Sequence, residues 1–195
     1  MMLWRAREQA CNTIFGLVDD SYKWVQTLKV ELLERNLGSH ITYTCDSSDH
    51  SFQRFYVSFK VCAEGFINGC RPLISMDACH LKSKYLGVLL SANALDGNNG
   101  LFNIAYVVVE TESKQTWSWF LNNLTVTIGM NIEPLAFISD MKKYLGEAIR
   151  EIYPEAEYRV CIRHLWKNLK KKLSLQRWVK TLRFGFDCRK CLYKH

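Results

Sequence analysis

Residues 71–110, RPLISMDACHLKSKYLGVLLSANALDGNNGLFNIAYVVVE, constrain the fold more than any other stretch of the chain. The runs Leu73–Cys79, Val88–Leu95 and Phe102–Val109 have the length and the apolar, β-branched content of strands. Between the second and third stands Asp96-Gly97-Asn98-Asn99-Gly100, whose glycines and asparagines tolerate positive φ, so the pair is predicted to be a hairpin and Asp96 to be turn chemistry. The first run carries an acid, Asp77, in its middle. Asp is depleted in strands, and a buried carboxylate costs several kcal/mol unless it is compensated. Either Asp77 bonds to neighbouring backbone or pairs with Arg71, Lys82 or Lys84, or it is placed there for chemistry.

The segments on either side supply scaffold. Residues 2–16 have helical spacing (Leu3, Ala6, Ala10, Ile14), and residues 19–36 form a second helix with Asp19, Asp20 or Ser21 as cap and Tyr22, Val25, Leu28 and Leu32 on one face. His40–Asp46 alternates like an edge strand, Ser47–Ser51 is a polar loop, and Phe52–Val61 reads as a strand or short helix. After the three strands, Ser113 or Thr111 caps a helix to Ile128 with Trp117, Phe120, Leu121, Leu124 and Ile128 as its apolar stripe. Glu110 and Glu112 stand just ahead of it, where acids favour a helix N-terminus. Leu135–Ser139 is a short strand ending at Asp140. Residues 141–152 follow as a helix with Tyr144, Leu145, Ala148, Ile149 and Ile152 inward, Ala156–Cys161 is a last strand, and Arg163–Leu173 a basic helix. From residue 71 the order is β-β-β-α-β-α-β-α, an α/β mixed sheet preceded by two N-terminal helices.

Composition narrows the class. No stretch of about 18 uncharged apolar residues occurs and no export leader is visible, so no membrane partner is expected. The eight cysteines (11, 45, 62, 70, 79, 161, 188 and 191) are scattered and read as reduced, mostly buried thiols of an intracellular protein. The net charge of +7 is unevenly held: residues 159–195 contain 12 of the 26 Lys and Arg and one acid, Asp187, whereas residues 1–158 sum to −4. A basic end on a mildly acidic body points to a polyanionic partner, DNA foremost.

A meander followed by right-handed crossovers can bring the first and fourth strands side by side, and with them Asp77 and Asp140. Paired carboxylates on adjacent strands suit divalent ions in phosphoryl transfer. At this point the chain resembles a known family. Cys70-Arg71-Pro72 with MDACHLK, LDGNNGLFNIAYVVVETESKQTWSWFLNNL, FISDMKKYLGEAI and EIYPEAEYRVCIRHLWKNLKKKL are similar to the MULE transposase domain, the catalytic region of plant Mutator-like (MuDR-type) DNA transposases. The resemblance implies an RNase H-like fold over residues 45–173, a helical lead-in at 1–44 and a divergent basic segment at 174–195. It implies Asp77 and Asp140 as the first two acids of a DDE site holding Mg²⁺ or Mn²⁺, and it places Cys161 and His164, its C-x-x-H, nearby. DNA is the implied partner, homo-oligomers are possible, and the nucleus is the implied location.

The family's third acid, a Glu, lies well downstream of C-x-x-H, and no Glu follows Glu157 here; Asp187 has no context to recommend it. The expectation is a truncated transposase domain, inactive in isolation. Three other readings stand beside it. The basic helix could bind DNA without catalysis through Arg163, Lys167, Lys170, Lys171 and Lys172. Cys161, His164, Cys188 and Cys191 could hold zinc at acceptable spacing, but the second pair lies where the resemblance has lapsed, so zinc is not expected. Asp140 could accept a phosphoryl group, which the leading hairpins argue against.

Overall fold

The computed structural model describes residues 2–16, 22–48, 50–82, 86–130, 132, 134–140 and 143–172. The caps read at Asp19, Asp20 and Ser21, the pairing with Lys84, and Asp187, Cys188 and Cys191 lie outside those residues; Lys171 and Lys172 are described only as helix backbone. In chain order the elements are α1 (Met2–Phe15), α2 (Val25–Arg35), β1 (His40–Cys45), β2 (Phe52–Ser58), α3 (Lys60–Gly69), β3 (Leu73–His80), β4 (Val88–Leu95), β5 (Leu101–Val109), α4 (Lys114–Ile128), β6 (Ala136–Ser139), α5 (Lys143–Ile152), β7 (Glu157–Val160) and α6 (Ile162–Lys172).

All seven strands form one mixed sheet in the order β1-β2-β5-β4-β3-β6-β7. Strands β3, β4 and β5 are the antiparallel meander expected from the turn signal. Asp96 builds that turn: its Oδ1 accepts from the amides of Asn98 at 2.8 Å and Gly100 at 2.7 Å, and Asn99 takes φ 65°. The chain then crosses through α4 and returns as β6, parallel to β3, and through α5 as β7, parallel to β6. The order from β3 onward is β-β-β-α-β-α-β-α, an RNase H-like α/β fold. β1 spans the 44/45 boundary read between lead-in and domain and pairs with β2 in the same sheet.

One face of the sheet is closed. Alternate residues Ile74, Met76, Leu90, Ala92, Val107 and Phe137 are buried against α4 and α5, where Trp117, Phe120, Leu121, Leu124, Leu145 and Ile149 face them. Ser113 opens α4 with a capping box, accepting from the Thr116 amide while Thr116 Oγ1 accepts from the Ser113 amide. The two acids ahead of α4 do other work than capping. Glu110 takes a bidentate contact from Arg54, and Glu112 accepts from the indole Nε1 of buried Trp117 at 3.2 Å. An isolated capping reading misses both, because the partners come from β2 and from the helix interior.

Further expectations are corrected here. Tyr144 is 54% exposed instead of inward. On α1, Ala6, Ala10 and Ile14 are exposed, and α2 contains no buried residue. None of the six described cysteines is buried, since they sit on strand ends, the open face or helix surfaces. After β2 the chain forms a helix, α3, that periodicity did not reveal. Only Ala63 and Phe66 of it are buried, and it contains Gly65, where a Cβ would come within 2.6 Å of the Phe102 ring. Glycine there lowers helix propensity and permits the close approach to β5.

One side-chain amide ties the N-terminal strand to α4, beside its pairing with β2. Asn123 of α4 accepts from Thr42 Oγ1 at 3.0 Å, meets His40 Nε2 at 2.9 Å through the same oxygen, and donates to the Trp119 carbonyl. Asn123→Ala leaves the polar groups of His40 and Thr42 without that oxygen, so it is expected to cost about 1–3 kcal/mol in a urea melt. The first protection lost in hydrogen exchange is expected in β1.

Candidate functional site

Three strands ending at one edge of the sheet position the candidate residues. β3 and β6 are paired as Leu73↔Ala136, Ile74↔Phe137 and Ser75↔Ile138, and counting on from the last pair sets Asp77 level with Asp140. Adjacent strands lie ~5 Å apart, so the two residues occupy neighbouring positions on parallel strand ends. β7 continues the row: Ser139 pairs with Val160, and the amide of Cys161 donates to the Ser139 carbonyl at 2.7 Å. Asp77, Asp140 and Cys161 therefore stand side by side although 63 and 21 residues of chain separate them in turn.

Asp77 alternates onto the open face and is exposed, since Ile74 and Met76 take the buried positions. The desolvation cost weighed for it from sequence does not apply. Its Oδ1 accepts from the adjacent Ala78 amide at 2.9 Å, and no ion pair with Arg71 or Lys82 forms among the described residues. Beside it runs a polar strip: Ser91 lies opposite on β4, Asn93 donates to Ser91 Oγ at 3.0 Å, and Asn103 donates to Asn93 Oδ1 at 2.9 Å.

Asp140 is half-buried and held from below. Ser139 Oγ donates to the Asp140 carbonyl at 2.6 Å and shares a 2.8 Å contact with the Tyr158 hydroxyl, which itself lies 3.4 Å from that carbonyl. Tyr158 in turn rests on α5 at Gly146, where a Cβ would come within 2.8 Å of its ring. Ser139, Gly146 and Tyr158 are thus supporting residues that the sequence reading passed over. The signal available was faint: a tyrosine in the strand next to the one that ends at Asp140.

Cys161 closes the first turn of α6 by accepting from the Leu165 amide at 3.0 Å, which puts His164 in that turn. His164 Nδ1 is buried and has no hydrogen-bond partner among the described residues. Beyond it, Arg163, Lys167 and Lys170 recur at helical spacing and are exposed, with the Lys170 ammonium 5.2 Å from the centroid of the Trp166 ring. Among the described residues no group of three or more His, Cys, Asp or Glu is arranged to hold a metal ion. The donor set at this edge is two carboxylates with hard oxygens, which fits a divalent ion of the Mg²⁺ or Mn²⁺ kind with water completing its shell.

Comparison with known proteins gives three results. The family model of the MULE transposase domain matches residues 73–168. A PKS-NRPS hybrid synthetase, cheA, of Chaetomium globosum is 29% identical over 90 residues, a match that covers 45% of this chain and only 2% of that protein. A chain in the cryo-EM structure of the simian T-cell lymphotropic virus intasome in complex with PP2A regulatory subunit B56 gamma matches at 12% identity and a TM-score of 0.34, over 62% of this chain and 45% of that one. At such a score the fold assignment rests on the sheet itself. The family match begins at the first residue of β3 and ends inside α6, so it takes in both strand ends that set Asp77 against Asp140. Residues 73–168, about half of the chain, are thus a MULE transposase domain by this match.

Proposed function

We propose that this domain serves metal-dependent DNA strand cleavage and transfer, with Asp77 and Asp140 as ligands of a divalent ion. The observation that supports the reading is the β3–β6 register, which sets Asp77 and Asp140 at neighbouring backbone positions. A bound Mg²⁺ or Mn²⁺ supplies charge neutralisation and activation of an attacking oxygen. The protein's part is to hold the carboxylates: Asp77 on a strand with a closed inner face, and Asp140 through Ser139 and Tyr158. DNA is the substrate class, and the nucleus the compartment that follows from it.

The 195 residues contain no Glu after Glu157, so the third acid of a DDE site is not among them. A polypeptide of these residues alone is expected to bind Mn²⁺ and to leave DNA uncut. Calorimetry with Mn²⁺ tests the ligand assignment: heat is expected from the wild type and not from Asp77→Ala or Asp140→Ala, and indistinguishable heats remove the metal site. Tyr158→Phe is expected to weaken Mn²⁺ at the low end of the about 10- to 100-fold range for supporting residues, with little change in melting temperature.

A second reading is supported by α6, whose Arg163, Lys167 and Lys170 recur along one side, with Lys171 and Lys172 following in the helix. Through these it binds duplex DNA by phosphate contact without catalysis. Affinity for a random duplex should then fall steeply with salt, and each of Lys167→Ala and Lys170→Ala should lower the slope of log K against log salt by about 1. A salt-independent affinity excludes this mode.

A further inference from the structure

We infer that a second nucleic-acid site lies on the same sheet edge as the carboxylates: a cleft that stacks an unpaired base of a DNA strand. The cleft has a volume of about 450 Å³, within the range of small-ligand sites. Its walls include Tyr22, ahead of α2, Tyr43 of β1 and Phe52 of β2. Phe52 lies between the two tyrosines, with ring centroids 5.3 Å from Tyr22 and 6.0 Å from Tyr43. All three rings are half-exposed and stand apart from the buried core. They make an aromatic wall of the cleft.

The rims add two observations. Lys23 and His50 are among the residues that line the cleft. The acid on the wall, Glu110, is engaged by the Arg54 guanidinium. His50 and Leu86, both lining the cleft, hold left-handed backbone, at φ 56° and 55°, and Leu86 is 68% exposed. Non-glycine residues in that region cost on the order of 1–3 kcal/mol each and gather at ligand clamps.

Position makes the base a nucleotide of the same DNA. Along the sheet, Cys79 of β3 pairs with Leu89, Leu89 with Val108, Val108 with Phe55 and Phe55 with Tyr43. That row lies two residues from Asp77 toward the shared edge, and Tyr43, Val108 and Asp77 alternate onto the same open face. From β3 to Tyr43 on β1 is a step of ~19 Å across four strand spacings. A single strand running along this face from the carboxylates reaches the aromatic rings. The identification of the ligand as DNA rests on the transposase-like reading; the stacking site rests on the cleft.

The test uses the full chain without added metal, so it is independent of the Mn²⁺ measurement at Asp77 and Asp140. A duplex with a short 3′ overhang carrying 2-aminopurine is compared with the blunt duplex, by fluorescence and by anisotropy. The wild type is expected to quench the 2-aminopurine and to bind the overhang duplex more tightly. Phe52→Leu and Tyr43→Leu are expected to lose the quench and to weaken overhang binding about 5- to 140-fold, the range for a lost base–aromatic stack, with blunt-duplex binding unchanged. Tyr43→Phe, which keeps the ring, is expected to behave as wild type and separates stacking from damage to the fold. Equal affinities for the two duplexes, or parallel losses on both, overturn the proposal. So does a concentration-dependent dimer that Phe52→Leu abolishes, which makes the rings a contact between copies of the chain.

Discussion

The parallel pairing of β3 with β6 is the interaction on which the rest of this architecture turns. The meander β3-β4-β5 could form by local hairpins, but it leaves β3 with an unpaired edge in the middle of what becomes the sheet. Satisfying that edge requires the chain to leave β5, cross through α4 over one face and return alongside its starting strand. The crossover is held by burial: Ile74 and Met76 of β3 and Phe137 of β6 line the face that Trp117, Phe120 and Leu124 of α4 cover. Each fully buried side chain of this size contributes roughly 1.5–3 kcal/mol. The same pairing that closes the core is what makes two acids, distant in sequence, neighbours.

It also divides the sheet into unlike faces. Between β3 and β5 the inner face is apolar and closed, while the outer one carries Ser75, Asp77, Ser91, Asn93 and Asn103 and is open or half-open. Because strand side chains alternate, a shift of one residue in the β3 register would bury Asp77 and expose Met76. Apolar packing on one side therefore enforces carboxylate placement on the other. No special compensation for a buried charge is needed, because the charge is not buried. Asp140 is different: it follows the last residue of a short strand, where the backbone is no longer held by a ladder, and its carbonyl is fixed by Ser139 and Tyr158 instead.

The fold was legible where the signal is local. The Asp96–Gly100 turn, the three strands around it and the stripe of α4 each depend on neighbours in sequence, and their bounds agree with the structure to within a residue or two. Asp77 and Asp140 stood out for the same reason, as acids in apolar strand contexts, and the register sets them level on adjacent strands. What escaped was decided at a distance. α3 depends on Gly65 approaching Phe102, Glu110 is claimed by Arg54 from another strand, and the cleft needs rings from three separate segments. No window of sequence contains those contacts. Tyr144 failed for a subtler reason: α5 buries a narrow strip centred on Leu145, Ala148 and Ile149, and a pattern read at helical spacing could not tell its margin from its centre.

The start of α6 links the two functional readings physically. The residue just ahead of it, Cys161, is anchored to β6 through its amide and the Ser139 carbonyl, on the same Ser139 whose hydroxyl bonds the Asp140 carbonyl. The helix thus leaves the sheet from a fixed point adjacent to the carboxylates. At 1.5 Å per residue, Arg163, Lys167 and Lys170 lie within ~14 Å of that point along the helix axis. A phosphate backbone neutralised along these side chains would be delivered toward Asp77 and Asp140, so sequence-indifferent binding by α6 and chemistry at the sheet edge need not be rival accounts. On the proposed reading the basic helix would guide a DNA strand toward the carboxylates, and Ser139 is the residue that touches both the start of the helix and Asp140.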